Sequence, residues 1–452
     1  MAKKRVSFAI YFLPLLYRNS FIQIIMTSLE HDKIVELIKR EVILSIGCTE
    51  PIAVALCVAK ACEVLGSLPQ SIEVGLSANI FKNAMGVGIP NSGMTGLPIA
   101  VALGAVAGHS EYGLAVLQDV DKEAVAKAKE YLENFPPKIA LSDESDDILF
   151  IKVVVKSGDD SAEAIISGTH TNFVAIKRNG EAVLQSENIA QKRVSEEEKI
   201  ELTLRKVYDF AEEVDLDKIE FIGETAEKNV GAAELSFTGD YGHGLGKMLH
   251  SGYAKSIFGD TLFTSILAHT SGACDARMSG AMVPVMSNSG SGNQGISATV
   301  PVAIYALAND VSREKMLRAL ALSHLTVIYI KESLGRLSAL CGCVVAATGS
   351  ACGITRLMGG GFEEVSGAVK NMVANLTGMI CDGAKPSCSL KVTSGVATAV
   401  LSATLAMNHR VTTSNEGIID EDVDRSIHNL TEIGRKGMSE TDRLILEIMT
   451  TK

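Results

Sequence analysis

Residues 148–180 read ILFIKVVVKSGDDSAEAIISGTHTNFVAIKRNG, and this stretch decides the fold class. Ile148–Val155, Ala164–Ser167 and Asn172–Lys177 are β-rich or alternate apolar with polar residues, the mark of half-buried strands. Arg178-Asn179-Gly180 is a hairpin turn, since Asn-Gly tolerates the positive φ such turns need. Ser71–Leu76 upstream has the same strand character. A small-residue helix over 97–107 and a charged amphipathic helix over 121–134 lie between these strands. Nearer the N-terminus, residues 29–46 place Ile34, Leu37, Ile38 and Val42 on one helical face, and Gly47 ends that helix. Thr49-Glu50-Pro51 then gives a capping Thr, an acidic first turn and an early Pro to a helix over 51–65. Downstream, Ser195-Glu196-Glu197-Glu198 caps a new helix. From there to the C-terminus the chain reads as helix, broken by loops at 237–244, 286–296, 358–362 and 381–395. The sequence therefore predicts an α+β N-terminal domain over 26–190, led by a helix pair, and an all-α C-terminal domain over 195–452.

The 452 residues are 47% hydrophobic and 21% charged, enough apolar surface for large cores. A net charge of −11 disfavours a nucleic-acid surface. Uncharged stretches at 83–110, 278–309 and 337–355 are broken by Gly, Ser, Asn or Pro, so they read as protein interior rather than membrane. Residues 1–25 have a basic start and an apolar run, Phe8 to Tyr17, resembling a secretory signal. No small-residue cleavage site comes after it, and the run is shorter than the ~20 residues of a membrane span. The helix opening at Met26-Thr27-Ser28 makes 1–25 an upstream misread of the start codon, with an export signal as the alternative. Nine cysteines, odd in number and irregular in spacing, disfavour a disulfide framework and fit the cytoplasm.

The cysteines carry the chemistry. Leu340-Cys341-Gly342-Cys343 sits in a helix-like stretch, and forty residues after Cys341 comes Cys381-Asp382-Gly383-Ala384-Lys385-Pro386-Ser387-Cys388. This Gly/Pro loop can turn Cys381 and Cys388 toward one point, and Cys341 or Cys343 would supply a third thiolate. Three thiolates suit a [4Fe–4S] cluster with one iron open, or zinc with an open position; plain core packing is the bland reading. Cys48, at a helix start, is a base or nucleophile if the dipole stabilises its thiolate, or else a core residue. Two Asn-Ser-Gly loops, 88–93 and 286–294, feed apolar helices and offer either anion sites or ordinary caps. Gly239–Lys247 lacks the phosphate-loop frame, no strand–GxGxxG–helix unit occurs, and no Schiff-base lysine is identifiable. Among histidines, His170 and His243 stand out.

GCTEPIAVA (47–55), the loop 288–295, GRLSALC (335–341) and MICDGAKPSC (379–388) jointly resemble the L-cysteine desulfidase family, related to the iron–sulfur L-serine dehydratases. The resemblance spans about 27–450 and implies a serine dehydratase alpha-chain-like fold. It implies an oxygen-sensitive [4Fe–4S] cluster on Cys381, Cys388 and, by the SALC match, Cys341; the Gly-Cys of serine dehydratases would favour Cys343. The loop is similar to a substrate loop, implying that Asn288, Ser289, Gly290, Ser291, Asn293 and Gln294 bind the amino acid, together with Thr49 and Glu50 beside Cys48. The family marks the cysteine of GCTEP as functional, and its thiolate is the expected base. The implied reaction is β-elimination of L-cysteine to pyruvate, ammonia and sulfide. L-serine dehydration is the alternative within the class, and a non-enzymatic iron–sulfur sensor or scaffold the alternative outside it. The expected partner is a small amino acid, with no nucleic acid and no membrane; the oligomeric state stays open, a homo-oligomer included.

Overall fold

A computed structural model describes residues 26–185, 200–335 and 339–451. The 1–25 extension, the boundary near 190 with its cap at 195–198, and residues 336–338 of GRLSALC lie outside the described residues.

Helix α1 (Ser28–Glu41) opens on a capping box: the Thr27 hydroxyl accepts from Glu30 N–H, and the Glu30 carboxylate accepts from Thr27 N–H. The sequence predicts this helix through residue 46, but it stops at Val42. Leu44–Ile46 instead form strand β1, paired antiparallel with Pro284–Met286, some 240 residues away. That distant partner satisfies the backbone in extended form, which no local pattern announces. Ile34, Leu37, Ile38 and Val42 are buried as their spacing requires. They pack with Leu204, Phe210, Leu320 and Leu325 of the helical region, not with the sheet.

Helix α2 (Thr49–Leu65) has Cys48, not Thr49, as its N-cap, and no side chain caps it. Strand β2 (Ser71–Leu76), helix α3 (Ala78–Ala84), the hairpin β3 (Gly88–Ile89) and β4 (Met94–Thr95), and helices α4 (Leu97–Ala107) and α5 (Lys122–Asn134) come next. Strands β5 (Lys138–Leu141), β6 (Phe150–Ser157), β7 (Asp160–Ser167), β8 (Phe173–Arg178) and β9 (Glu181–Gln185) complete a mixed six-stranded sheet of order β5-β2-β6-β7-β8-β9. Only β2 and β5 run parallel in it. Asn179 and Gly180, both at positive φ, turn β8 into β9 as expected. Alternate residues of β6 (Ile151, Val153, Val155) and β7 (Ala162, Ala164, Ile166) bury one face under α2, against which α4 packs in turn.

Among the remaining described residues the regular structure is helical save one strand. Helices α6 (Leu204–Glu213), α7 (Leu216–Ile219), α8 (Gly223–Thr238), α9 (Leu245–His250), α10 (Gly252–Phe258) and α11 (Leu262–Met278) lead to β10 (Pro284–Met286), the partner of β1. Then come α12 (Gly292–Ala308), α13 (Arg313–Leu334), α14 (Gly342–Leu357), α15 (Phe362–Asn375), α16 (Cys388–Met407), α17 (Val423–Glu432) and α18 (Ser439–Thr450). Two loops are shorter than the sequence predicts: α12 starts at Gly292 rather than Ser297, and α16 at Cys388 inside the expected 381–395 loop. By length and composition α16 could cross a membrane, but Val392, Val396, Ala399 and Ala403 are buried among α11, α14 and α15.

Candidate active site

Four helices begin at one cavity of about 780 Å³. Cys48 is the N-cap of α2, Ser291 of α12 and Cys341 of α14, and Cys388 is the first residue of α16; all four line the cavity. Each helix start carries roughly half a positive charge, so the shared space favours anions and thiolates; at α16 the N–H groups of Cys388, Ser389 and Leu390 are already taken by Lys385 O, Pro386 O and Ser387 O.

Backbone pairing brings these ends together. β1 lies on β10, Ser287 N–H donates to Ile43 O at 2.8 Å, and Ser289 N–H donates to Glu41 O at 3.0 Å. The chain entering Cys48 is thereby sewn to the Ser289–Gln294 loop. Ser289 and Gly290, at φ 48° and 79°, form the tip of a tight turn closed between Asn288 and Ser291. Beside that loop, Cys341 N–H donates to Met379 O and Cys381 N–H to Ala339 O, both at 2.7 Å. This two-bond bridge explains why Cys341 is not in mid-helix, as the sequence predicts. Segment 339–341 is spent on pairing, and the helix starts only at Gly342. Gly383, at φ +90°, sits where a Cβ would come within 1.9 Å of Lys82 O, which presses the cysteine loop against α3.

Cys341, Cys343, Cys381 and Cys388 all line the cavity, and all nine cysteines are free thiols. Among the described residues no three Cys, His, Asp or Glu side chains converge closely enough for a single ion. A [4Fe–4S] cluster makes a different demand, because each thiolate binds its own iron and the sulfurs stand apart around a cube. The all-sulfur donor set fits such a cluster. A hydrogen bond from Cys343 draws the Cys341 thiol below its ordinary value against the opposing effect of burial, with N–H groups and Lys391 helping. Cys343 rises in turn, and burial pushes Cys388 up to about 11. Lys385 and Lys391 hold Asp382 between them at 2.5 and 2.6 Å, while Lys82, almost fully buried, pairs with Asp442 of α18.

Cys48 departs from expectation. Its thiol donates to Glu50 Oε2 at 3.0 Å, and burial, reinforced by the Glu50 charge, pushes it well above its ordinary value. It rests as a thiol, not the thiolate that the helix dipole alone would produce. Glu50, Ser289, Gly290, Ser291, Asn293 and Gln294 line the cavity with it, whereas Thr49 and Asn288 are not on its wall. The Asn288 amide donates to His324 Nδ1 and His324 O, and its oxygen accepts from Ser289 Oγ, so Asn288 shapes the turn instead. The 88–93 loop also misses the cavity, since Ser92 serves its own turn through Ile89 O and Met94 N–H.

His170 lines the cavity and His243 does not. Sequence reasoning missed Arg277, Lys82 and Lys331, which line it too. The available signal was a basic side chain inside an otherwise buried helix, as in the Gly272–Met278 run of α11.

The sequence matches the serine dehydratase alpha chain family over residues 111–447. It is 62% identical over 427 residues to a UPF0597 protein of Bacteroides fragilis, covering 94% of this chain and all of that one. A UPF0597 protein of Bacteroides thetaiotaomicron is 60% identical over 94% of this chain and 98% of its own. One from Shewanella pealeana is 45% identical over 92% and 98%. None of these three names states an activity.

Proposed function

The chain belongs to the serine dehydratase alpha-chain family, and from that premise we propose that it is an iron–sulfur-dependent lyase acting on a small L-amino acid, L-cysteine ahead of L-serine. The observation that carries the proposal is the meeting of Cys341, Cys381 and Cys388 with Cys48 at one cavity ringed by helix N-termini. The three would hold a [4Fe–4S] cluster, and the backbone bridge tying 339–341 to 379–381 favours Cys341 over Cys343 as the third ligand. When bound, the cluster supplies an open iron that acts as Lewis acid toward a departing thiol or hydroxyl.

The remaining work falls to the chain. The start of α12 offers N–H donors to the substrate carboxylate. Cys48 and Glu50 handle the Cα proton as a relay. The Cys48 sulfur takes that proton while its own passes to the Glu50 carboxylate, along the hydrogen bond already in place. No free thiolate is needed, which suits a thiol held protonated by burial. The Cα–H pair becomes the new C=C bond as the Cβ–S bond breaks and hydrosulfide leaves. The enamine then takes up water to give pyruvate and ammonia. A thiolate-rich site is soft and favours a sulfur leaving group; the family match favours serine as the rival substrate. Free thiols and an oxygen-labile cluster fit the cytoplasm.

The test is anaerobic purification, with iron and sulfide quantified and pyruvate measured from each amino acid. About four irons per chain and turnover lost in air are expected. Sulfide release that survives air and chelators would overturn the proposal.

A further inference from the structure

Buried polar atoms without a partner are costly, so each needs a reason. Two lie on the cavity wall: Arg277 Nε, a donor, and Gln294 Oε1, an acceptor. Arg277 is only 5% exposed. Its Nη1 donates to Asn293 Oδ1 at 3.1 Å, and among the described residues no carboxylate forms an ion pair with it. Gly292, which starts α12, makes room for the guanidinium, since a Cβ there would come within 2.2 Å of Arg277 Nε. The buried cation therefore lies against the positive end of α12, and the two like charges face one cavity. That arrangement favours binding of an anion there. Two residues on, Gln294 lies over Gly342 at the start of α14, toward the cysteine wall; a Cβ at Gly342 would come within 2.9 Å of the Gln294 amide.

We infer that Arg277 and the α12 N-terminus receive the carboxylate, and Gln294 Oε1 the ammonium, of a free α-amino acid. The donor and acceptor left open match the two charged groups that every zwitterionic amino acid carries on one carbon. Cys48 lines the same cavity as Arg277, near enough to feel its charge. Amino acids blocked at either group are excluded. The inference takes its substrate from the lyase proposal, but the receptor operates without turnover.

The probe is L-alanine, which has both charged groups and no leaving group. Its binding is measured by calorimetry on anaerobic full-length protein, with and without reconstituted iron, beside ethylamine, propionate and N-acetyl-L-alanine. L-Alanine should bind and N-acetyl-L-alanine should not. Arg277→Gln should weaken L-alanine about tenfold or more with iron content unchanged, as expected for lost hydrogen bonds to a charged group. Gly292→Ala, which displaces the guanidinium without deleting it, should act in the same direction, and Arg277→Lys should recover part of the loss. Gln294→Leu should weaken L-alanine but not propionate. Unchanged L-alanine affinity in Arg277→Gln, equal binding of the N-acetyl compound, or no L-alanine binding to the wild type would each overturn the receptor. Arg277-dependent binding without turnover of any amino acid would leave the receptor standing and sink the lyase. Turnover indifferent to Arg277→Gln would do the reverse.

Discussion

His324 gives the structure a measurable acid limit. It lies fully buried in α13, where its Nδ1 accepts from the Asn288 amide at 3.0 Å and its Nε2 meets Thr299 Oγ1 at 2.9 Å. Asn229 extends the network from Thr299 to both backbone groups of Met286, so one ring braces the turn before α12 and the strand that holds β1. Because Nδ1 accepts, the ring must be neutral, and burial holds its pKa down to about 3. In the unfolded chain it titrates near ~6.5. Below that pH the unfolded state takes a proton that the folded state refuses, so stability falls with pH until about 3. Linkage puts the cost at about 1.4 kcal/mol at pH 5.5 and about 2.7 kcal/mol at pH 4.5. His324→Gln keeps an acceptor and a donor but cannot titrate. It should be less stable than wild type at pH 7.5, and the gap should shrink by about 2.7 kcal/mol by pH 4.5. Urea unfolding of both proteins, followed by circular dichroism, reads this directly, because pH effects of the shared carboxylates cancel. Parallel stability curves from pH 7.5 to 4.5 would refute the reasoning.

Other substitutions separate the roles around the cavity. Cys381→Ala and Cys388→Ala should each abolish bound iron while leaving the helical circular dichroism largely intact, and Cys341→Ala should lose more iron than Cys343→Ala; atomic absorption on anaerobic samples decides. Cys48→Ala and Glu50→Gln should keep the iron and lower kcat by roughly 10²–10⁴-fold, the usual worth of general base catalysis; iron loss in Cys48→Ala would make that sulfur a ligand instead. Gly383→Ala combines a positive φ with a Cβ 1.9 Å from Lys82 O. It should cost ~2 kcal/mol or more and reduce iron retention, as read by thermal unfolding and metal content.

Local patterns were legible where local physics decides. The helix opening at Met26-Thr27-Ser28, the Asn179-Gly180 turn, the apolar alternation of β6 and the burial of most of α4 could all be read along the chain. Errors arose where a distant partner overrides local preference. Residues 44–46 look like the end of a helix until Pro284–Met286 pairs with them. Cys341 looks helical until 379–381 claims its backbone. The cysteine pattern and its Gly/Pro loop pointed to the cavity, but the state of Cys48 depends on burial and on the direction of the Glu50 carboxylate, neither of which spacing carries. The echo between the two Asn-Ser-Gly loops misled, because Ser92 closes its own turn while the second loop opens α12 onto the cavity. Arg277 went unnoticed because a lone basic residue in a helix usually faces water, and here its cavity forms only when α11 meets α12.

The central claim is that iron held by Cys341, Cys381 and Cys388 drives the elimination. Its most direct test is anaerobic reconstitution in steps, with pyruvate formed from L-cysteine measured at each level of bound iron. The account predicts no activity without iron, a rise that levels off near about four irons per chain, and a flat line for Cys388→Ala. Pyruvate formation by iron-free protein, or by iron-free Cys388→Ala, would contradict it.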